Sequence, residues 1–171
     1  LEKLKLCSEE SGDELTIGYS KFARATVLYM EQNYEEALVL DEEFLKIAQR
    51  LNNKLAECEV SLSIAAIYCN LFQLQKALDL YYKGLKMAEE LGNEKLASKI
   101  KVNQTSVYSL IGDYEKSYKN STQMLEKLKN YEDKAFKYTV LCNLSVYALI
   151  LKKYDESLKH AQDSLVIAEE L

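Results

Sequence analysis

The sequence predicts an all-α solenoid, a tandem array of paired antiparallel helices, and three observations carry the prediction. The first is an undrifting 40-residue period. NYEEALV, QLQKALD, DYEKSYK and KYDESLK set Tyr34, Leu74, Tyr114 and Tyr154 in one column. Small residues hold the same interval at Ala37, Ala77, Ser117 and Ser157, and again at Ala25, Ala65, Thr105 and Ser145. A fourth column runs Leu51, Leu91, Tyr131 and Leu171. A fixed period of this size marks stacked supersecondary units. The second observation is that 171 residues hold no proline and five glycines, too few breakers for a sheet with many tight turns or for a disordered linker. The third is helical periodicity. Leu74, Ala77, Leu78, Tyr81, Leu85 and Ala88 advance by threes and fours, with Lys83, Lys86, Glu89 and Glu90 off the stripe.

The elements follow in order. Residues 1–10 align with 41–50 at the 40-residue offset, Leu4 on Phe44 and Ser8 on Ala48. Residues 1–12 therefore read as the second helix of a truncated repeat, and the chain as a fragment of a longer protein. Four repeats follow, at 13–52, 53–92, 93–132 and 133–171. Each opens on Asp13, Asn53, Asn93 or Asp133, whose side-chain oxygens suit an N-cap. First helices are expected at about 14–31, 54–71, 94–111 and 134–151, and second helices at about 34–51, 74–91, 114–130 and 154–171. Gly12 and Gly92 precede two of the caps, where a left-handed residue would close the helix before. The small columns let paired backbones approach. Tyr34, Tyr68, Tyr108, Tyr114 and Tyr154 are expected to supply core bulk, leaving Tyr19 and Tyr29 as the exposed aromatic pair. No single hairpin buries its apolar stripe, but stacked neighbours do.

Composition narrows the function. A net charge of −5, two arginines (Arg24 and Arg50) and no basic block argue against nucleic acid, which requires a concentrated positive face. No apolar run approaches the roughly 20 residues of a membrane span. Cys7, Cys58, Cys69 and Cys142 form no C-x-x-C pair, and the single histidine is His160, so neither a zinc site nor any other cofactor is expected. The thiols read as reduced, in a cytoplasmic protein. His160 lacks a nucleophile or carboxylate at a useful spacing and reads as a surface or interface residue, and the AEEL segments at 88–91 and 168–171 read as surface. No enzymatic constellation is present, nor a phosphate-binding glycine loop.

Helix–turn–helix units with a small residue in each helix, a tyrosine after the intra-repeat turn and the turn GDYEKSY resemble tetratricopeptide repeats over essentially the whole chain. Ordinary members repeat every 34 residues or so. The longer period here adds about three residues, or roughly 4–5 Å, to each helix. This long form is similar to kinesin light chains, to cell-polarity adapters and to helical sensor domains of bacterial regulators, peptide-pheromone receptors among them. The resemblance implies a right-handed superhelical solenoid whose first helices line a concave groove for a protein segment or short peptide. Carried across column by column, the groove residues would be Tyr19, Glu59, Lys99 and Thr139; Phe22, Leu62, Val102 and Cys142; Ala23, Ser63, Asn103 and Asn143; and Thr26, Ala66, Ser106 and Val146. The lysine and asparagine clamp of the chaperone-tail subset is absent, since those columns hold Phe22, Leu62, Val102 and Thr26.

Asn103 and Asn143 are the sharpest candidates. A side-chain amide both donates and accepts, so a matched pair on neighbouring helices suits the NH and CO groups of an extended peptide. The alternative is that the pair bonds between repeats and holds their pitch. Arg24 and Gln104 stand where Ile64 and Leu144 would face the core, as an inner contact for an acidic ligand or as snorkelling side chains. The expected function is a non-catalytic protein- or peptide-binding scaffold, the regulatory or sensor domain of a larger intracellular signalling protein. Two alternatives accompany it: a receptor for a short signalling peptide, as in quorum sensing, and a self-association module joined end to end through Leu158, Ala161 and Leu165.

Overall fold

The computed structural model describes residues 13–128 and 133–171. They form eight helices and no strand: α1 (Glu14–Met30), α2 (Tyr34–Arg50), α3 (Lys54–Asn70), α4 (Leu74–Glu90), α5 (Glu94–Ile111), α6 (Tyr114–Lys127), α7 (Lys134–Ile150) and α8 (Tyr154–Glu169). First helices begin at Glu14, Lys54, Glu94 and Lys134, which keeps the 40-residue interval. The expectations placed on residues 1–12 and on Tyr131 lie outside the described residues. Two compact units emerge, one ending at Ile100 and one starting at Lys101, with the division inside α5.

One turn is used throughout. Gln32, Asn52, Phe72, Gly92, Gly112 and Lys152 all have positive φ, between 51° and 90°. The amide after each donates five residues back, Asn33 to Leu28, Asn53 to Ala48, Gln73 to Tyr68, Asn93 to Ala88, Asp113 to Tyr108 and Lys153 to Ala148, at 2.8–2.9 Å. This is the Schellman closure, which satisfies carbonyls the helix end would otherwise orphan. Glycine adopts the left-handed conformation without a Cβ penalty at two of the six positions only. Side-chain caps then start the first helices, with Asp13, Asn53, Asn93 and Asp133 each accepting an amide three residues on. Asp113 does the same for α6, whereas Asn33, Gln73 and Lys153 make no such bond.

In the first unit α1 packs on α2, α2 on α3 and α3 on α4. Ala25 and Ala37 are buried together with Ile67, the small columns meeting as expected. Phe44, Ala48, Ala56, Val60 and Ile64 form the larger cluster, and Phe44 sits where Gly18 leaves room for it. A Cβ on Gly18 would stand 2.3 Å from the Phe44 ring. Glu57 is buried between Lys54 (2.9 Å) and Lys83 (3.3 Å). Burial pushes its carboxyl up, but the two ammonium groups outweigh this and hold it below the usual range.

In the second unit α7 packs on α6 and on α8. Tyr118, Met124, Leu128, Val140, Leu144, Tyr147 and Ala148 make its core, with Val102 and Tyr114 against it. The small columns now carry hydroxyls, and those of the second helices each find a carbonyl across the helix pair: Ser117 donates to Thr105 at 3.1 Å and Ser157 to Ser145 at 2.9 Å.

Two tyrosine expectations need correction. Tyr154 is 62% exposed rather than core. Tyr34 and Tyr114 lean on clusters that include the following first helix, with Ile67 and with Tyr147, while α8 is the last helix of the array described. Tyr29 is half-buried rather than exposed. It stacks edge-on against Tyr34 at 5.6 Å, and its hydroxyl accepts from Asn70 at 2.8 Å.

Gly18→Ala should therefore destabilise the chain by roughly 1–3 kcal/mol, because overpacking displaces Phe44. Urea titration followed by circular dichroism measures this, and an unchanged midpoint would refute the fit. Phe72, 79% exposed with φ of 55°, holds a bulky residue in a left-handed position. Phe72→Gly should raise stability by about 1 kcal/mol in the same titration, since the strain it relieves has no packing to offset it.

Candidate functional site

The residues assigned to the ligand-binding face divide between the two units, Tyr19, Phe22, Thr26, Glu59, Ser63 and Lys99 in the first and Asn103, Ser106, Thr139 and Asn143 in the second. In the first unit Tyr19 and Glu59 satisfy each other, the hydroxyl donating to Oε2 at 3.2 Å across α1 and α3. Burial, reinforced by the Glu59 charge, raises the Tyr19 phenol above its ordinary range. The rings of Tyr19 and Phe22 lie 4.9 and 5.7 Å from Phe44, so both aromatics brace the core as well as facing outward. Leu62, expected on the groove surface, is buried, because α3 is covered on that side by α4 as well.

Several polar candidates are already engaged. Thr26 donates to the Phe22 carbonyl at 2.9 Å, Ser106 to Val102 at 3.3 Å and Thr139 to Ala135 at 3.0 Å. This i−4 bond is the usual resting state of a helical hydroxyl. Lys99 is exposed, and Ser63 is half-buried. Cys142 is half-buried, and its contact with Tyr138 raises that phenol.

Asn103 and Asn143 differ from these. Both are half-buried on first helices of the second unit, and neither side-chain amide bonds to another described residue. α5 and α7 are neighbours there, since Val102 packs on the Val140–Leu144 cluster and Ser109 bonds to Tyr147. Within two turns along the same faces, Leu110, Val146 and Ile150 are exposed apolar side chains. An amide pair beside apolar surface can take a peptide backbone and its side chains together.

Of the two polar residues expected at core positions, Arg24 reaches solvent, whereas Gln104 is buried with Nε2 unbonded. His160 is half-buried against Tyr118, ring centroids 6.5 Å apart, with Nδ1 unbonded. Desolvation lowers its pKa, opposed by Asp163 and Glu156. Cys58, Cys69 and Cys142 are unpaired. Burial, with help from Glu59 and Glu57, pushes the Cys58 thiol up to about 11, which leaves it a poor nucleophile. Among the described residues no group of ligands could hold a metal ion, and no helix is long and apolar enough to cross a membrane.

Sequence reasoning missed Asp41. It lies on α2 at 0% exposure, and neither carboxylate oxygen has a hydrogen-bond partner. Burial pushes its pKa up to about 6, offset in part by the neighbouring Ser63 hydroxyl, which stands near without reaching bonding geometry. The signal was in the columns. Asp41 aligns with Tyr81 and Ser121, so a carboxylate interrupts a stripe that runs through Leu38 and Leu45.

An acid whose pKa rises on folding binds its proton more tightly in the native state, so stability falls as pH rises from about 4 to about 6 and is flat above. The wild type should therefore lose up to about 3 kcal/mol relative to Asp41→Asn between pH 4 and pH 7. Using the difference between the two proteins removes the opposite contribution of His160, whose lowered pKa costs stability below its usual range. Parallel curves would place the Asp41 carboxylate in contact with water.

No family model matches the sequence, and neither does any curated protein. Solved structures do resemble it. The apo form of RapI superposes with a TM-score of 0.84 at 18% identity, over 97% of this chain and 61% of RapI. BtubC from P. vanneervenii gives 0.82 at 21% identity, over 99% of this chain and 70% of that one. A signal-transduction ATPase with numerous domains and a tetratricopeptide repeat sensor, from Pyrococcus horikoshii, gives 0.82 at 21% identity, over 98% of this chain and 26% of that one. The fold of this chain is the tetratricopeptide-like array of helix pairs.

Proposed function

We propose that the chain is a non-catalytic module that binds a protein segment or short peptide along its first helices, as the regulatory or sensor part of a larger intracellular signalling protein. In this reading the chain carries four repeats, at 13–52, 53–92, 93–132 and 133–171. The observation that carries it is the pair Asn103 and Asn143, equivalent in position, half-buried, and without a bond among the described residues, where the hydroxyls of Ser106 and Thr139 are satisfied internally. An amide held on a rigid helix without an internal partner is preorganised for an external one. Likeness to a signal-transduction ATPase with a tetratricopeptide repeat sensor supports the reading. The chain spans 61% of RapI and 26% of the ATPase, so the activities of those whole proteins are not carried over.

A second reading rests on a different observation. Tyr154, Leu158 and Leu165 are exposed on α8, while the equivalent Tyr34, Leu38 and Leu45 pack against neighbouring helices. End-to-end self-association would cover them. Light scattering distinguishes this, as mass would rise with concentration in the wild type and not in Leu165→Glu.

The test of the main reading is retention of a random heptapeptide pool by the wild type and by Asn103→Ala/Asn143→Ala. At about 1 kcal/mol of net hydrogen bonding per asparagine, the double variant should bind at least tenfold more weakly. Equal retention by a folded double variant would move the site off these helices.

A further inference from the structure

We propose that Asp41 is the anchor for a cationic group, a lysine or arginine side chain of the bound peptide, admitted between α1 and α3. The inference rests on the peptide-binding reading and names the ligand chemistry at its first repeat. A carboxylate with no donor in an apolar interior is costly to the fold. Tyr81 and Ser121 show that the same helix position accepts hydroxyl side chains, so the array does not require an acid there.

Among the described residues no cation compensates it. Lys21 pairs with Glu43, Arg50 with Glu14, and Lys54 and Lys83 with Glu57, while Arg24 lies exposed. The compensating charge therefore comes from outside the described residues. The approach is polar on one side. Ser63, the neighbour of the carboxylate, is itself half-buried, so on that side one side chain separates Asp41 from water. Glu59 stands one turn earlier on α3 and is held by Tyr19. A cation moving along this face would meet Glu59, then Ser63, then Asp41, each of which offers an oxygen that can accept from it. A planar guanidinium, with paired donors and weak hydration, suits a buried carboxylate better than a solvated ion does.

The experiment uses two random heptapeptide pools identical but for the central residue, arginine in one and citrulline in the other. Citrulline keeps the shape and removes the charge. The 171-residue wild type should retain the arginine pool at least tenfold better than the citrulline pool. Asp41→Asn should bring the arginine pool down to the citrulline level without lowering the latter. Asp41→Ser, the residue found at the equivalent position of α6, serves as a second variant should the first not fold. If the wild type holds both pools equally and the asparagine double variant holds neither, this inference falls while the groove reading stands. If the wild type holds neither pool, both fall. A preference for arginine that survives both Asp41 variants belongs to a surface carboxylate such as Glu59 and also overturns the assignment.

Discussion

Everything periodic in this chain depends on one turn. Among the described residues, a residue with positive φ followed by an amide bonded five residues back recurs at Gln32, Asn52, Phe72, Gly92, Gly112 and Lys152, at multiples of twenty residues. Because the closure is the same after first and second helices alike, helices come out near 17 residues, and each pair restarts in register with the last. A one-residue slip would rotate a helix by about 100°, turning its apolar stripe away from its neighbour. The closure is a backbone device. It is satisfied by glycine, asparagine, glutamine, lysine and even phenylalanine, which is why composition at these positions varies while their spacing does not.

Register, once set, makes the small columns meet. Alanine opposite alanine lets α1 and α2 close together, and the same contact is kept in the second unit by serines that donate to carbonyls of the partner helix. The hydroxyl substitution is tolerated because its polar atom is paired at once. Around these contacts the two units fill their cores differently. The first uses Phe44 under Gly18, with Tyr19 and Phe22 against it. The second uses Tyr118, Met124 and Tyr147. Repetition of backbone geometry thus leaves freedom in side-chain packing, and a polar exception such as Asp41 can arise in a single repeat.

The candidate site was legible in part. Columns of equivalent positions pointed to the first-helix faces and to Asn103 and Asn143, because equivalence in a repeat is a statement about direction in space. They could not show which polar groups were already satisfied. Thr26, Ser106 and Thr139 turn back onto their own helix, and Tyr19 and Glu59 bond each other, so in the second unit the free hydrogen-bonding capacity of these columns rests with two amides. Leu62 is buried because its helix has neighbours on more than one side, which a single-helix pattern does not reveal. Tyr154 has the right column and no partner, since packing belongs to the pair of surfaces and not to the residue.

The sequence by itself determined the helical class, the 40-residue unit, the caps at Asp13, Asn53, Asn93 and Asp133, and the meeting of the small columns. All of these are local or repeat with the chain, so spacing is enough to specify them. Only the tertiary structure decided that Glu57 is compensated by Lys54 and Lys83 while Asp41 meets no cation among the described residues. Both are acids on amphipathic helices, and nothing in their neighbours along the chain separates them. The difference lies in which cations stand within reach across the helix pairs, and Coulomb attraction and desolvation depend on that distance in space rather than in sequence.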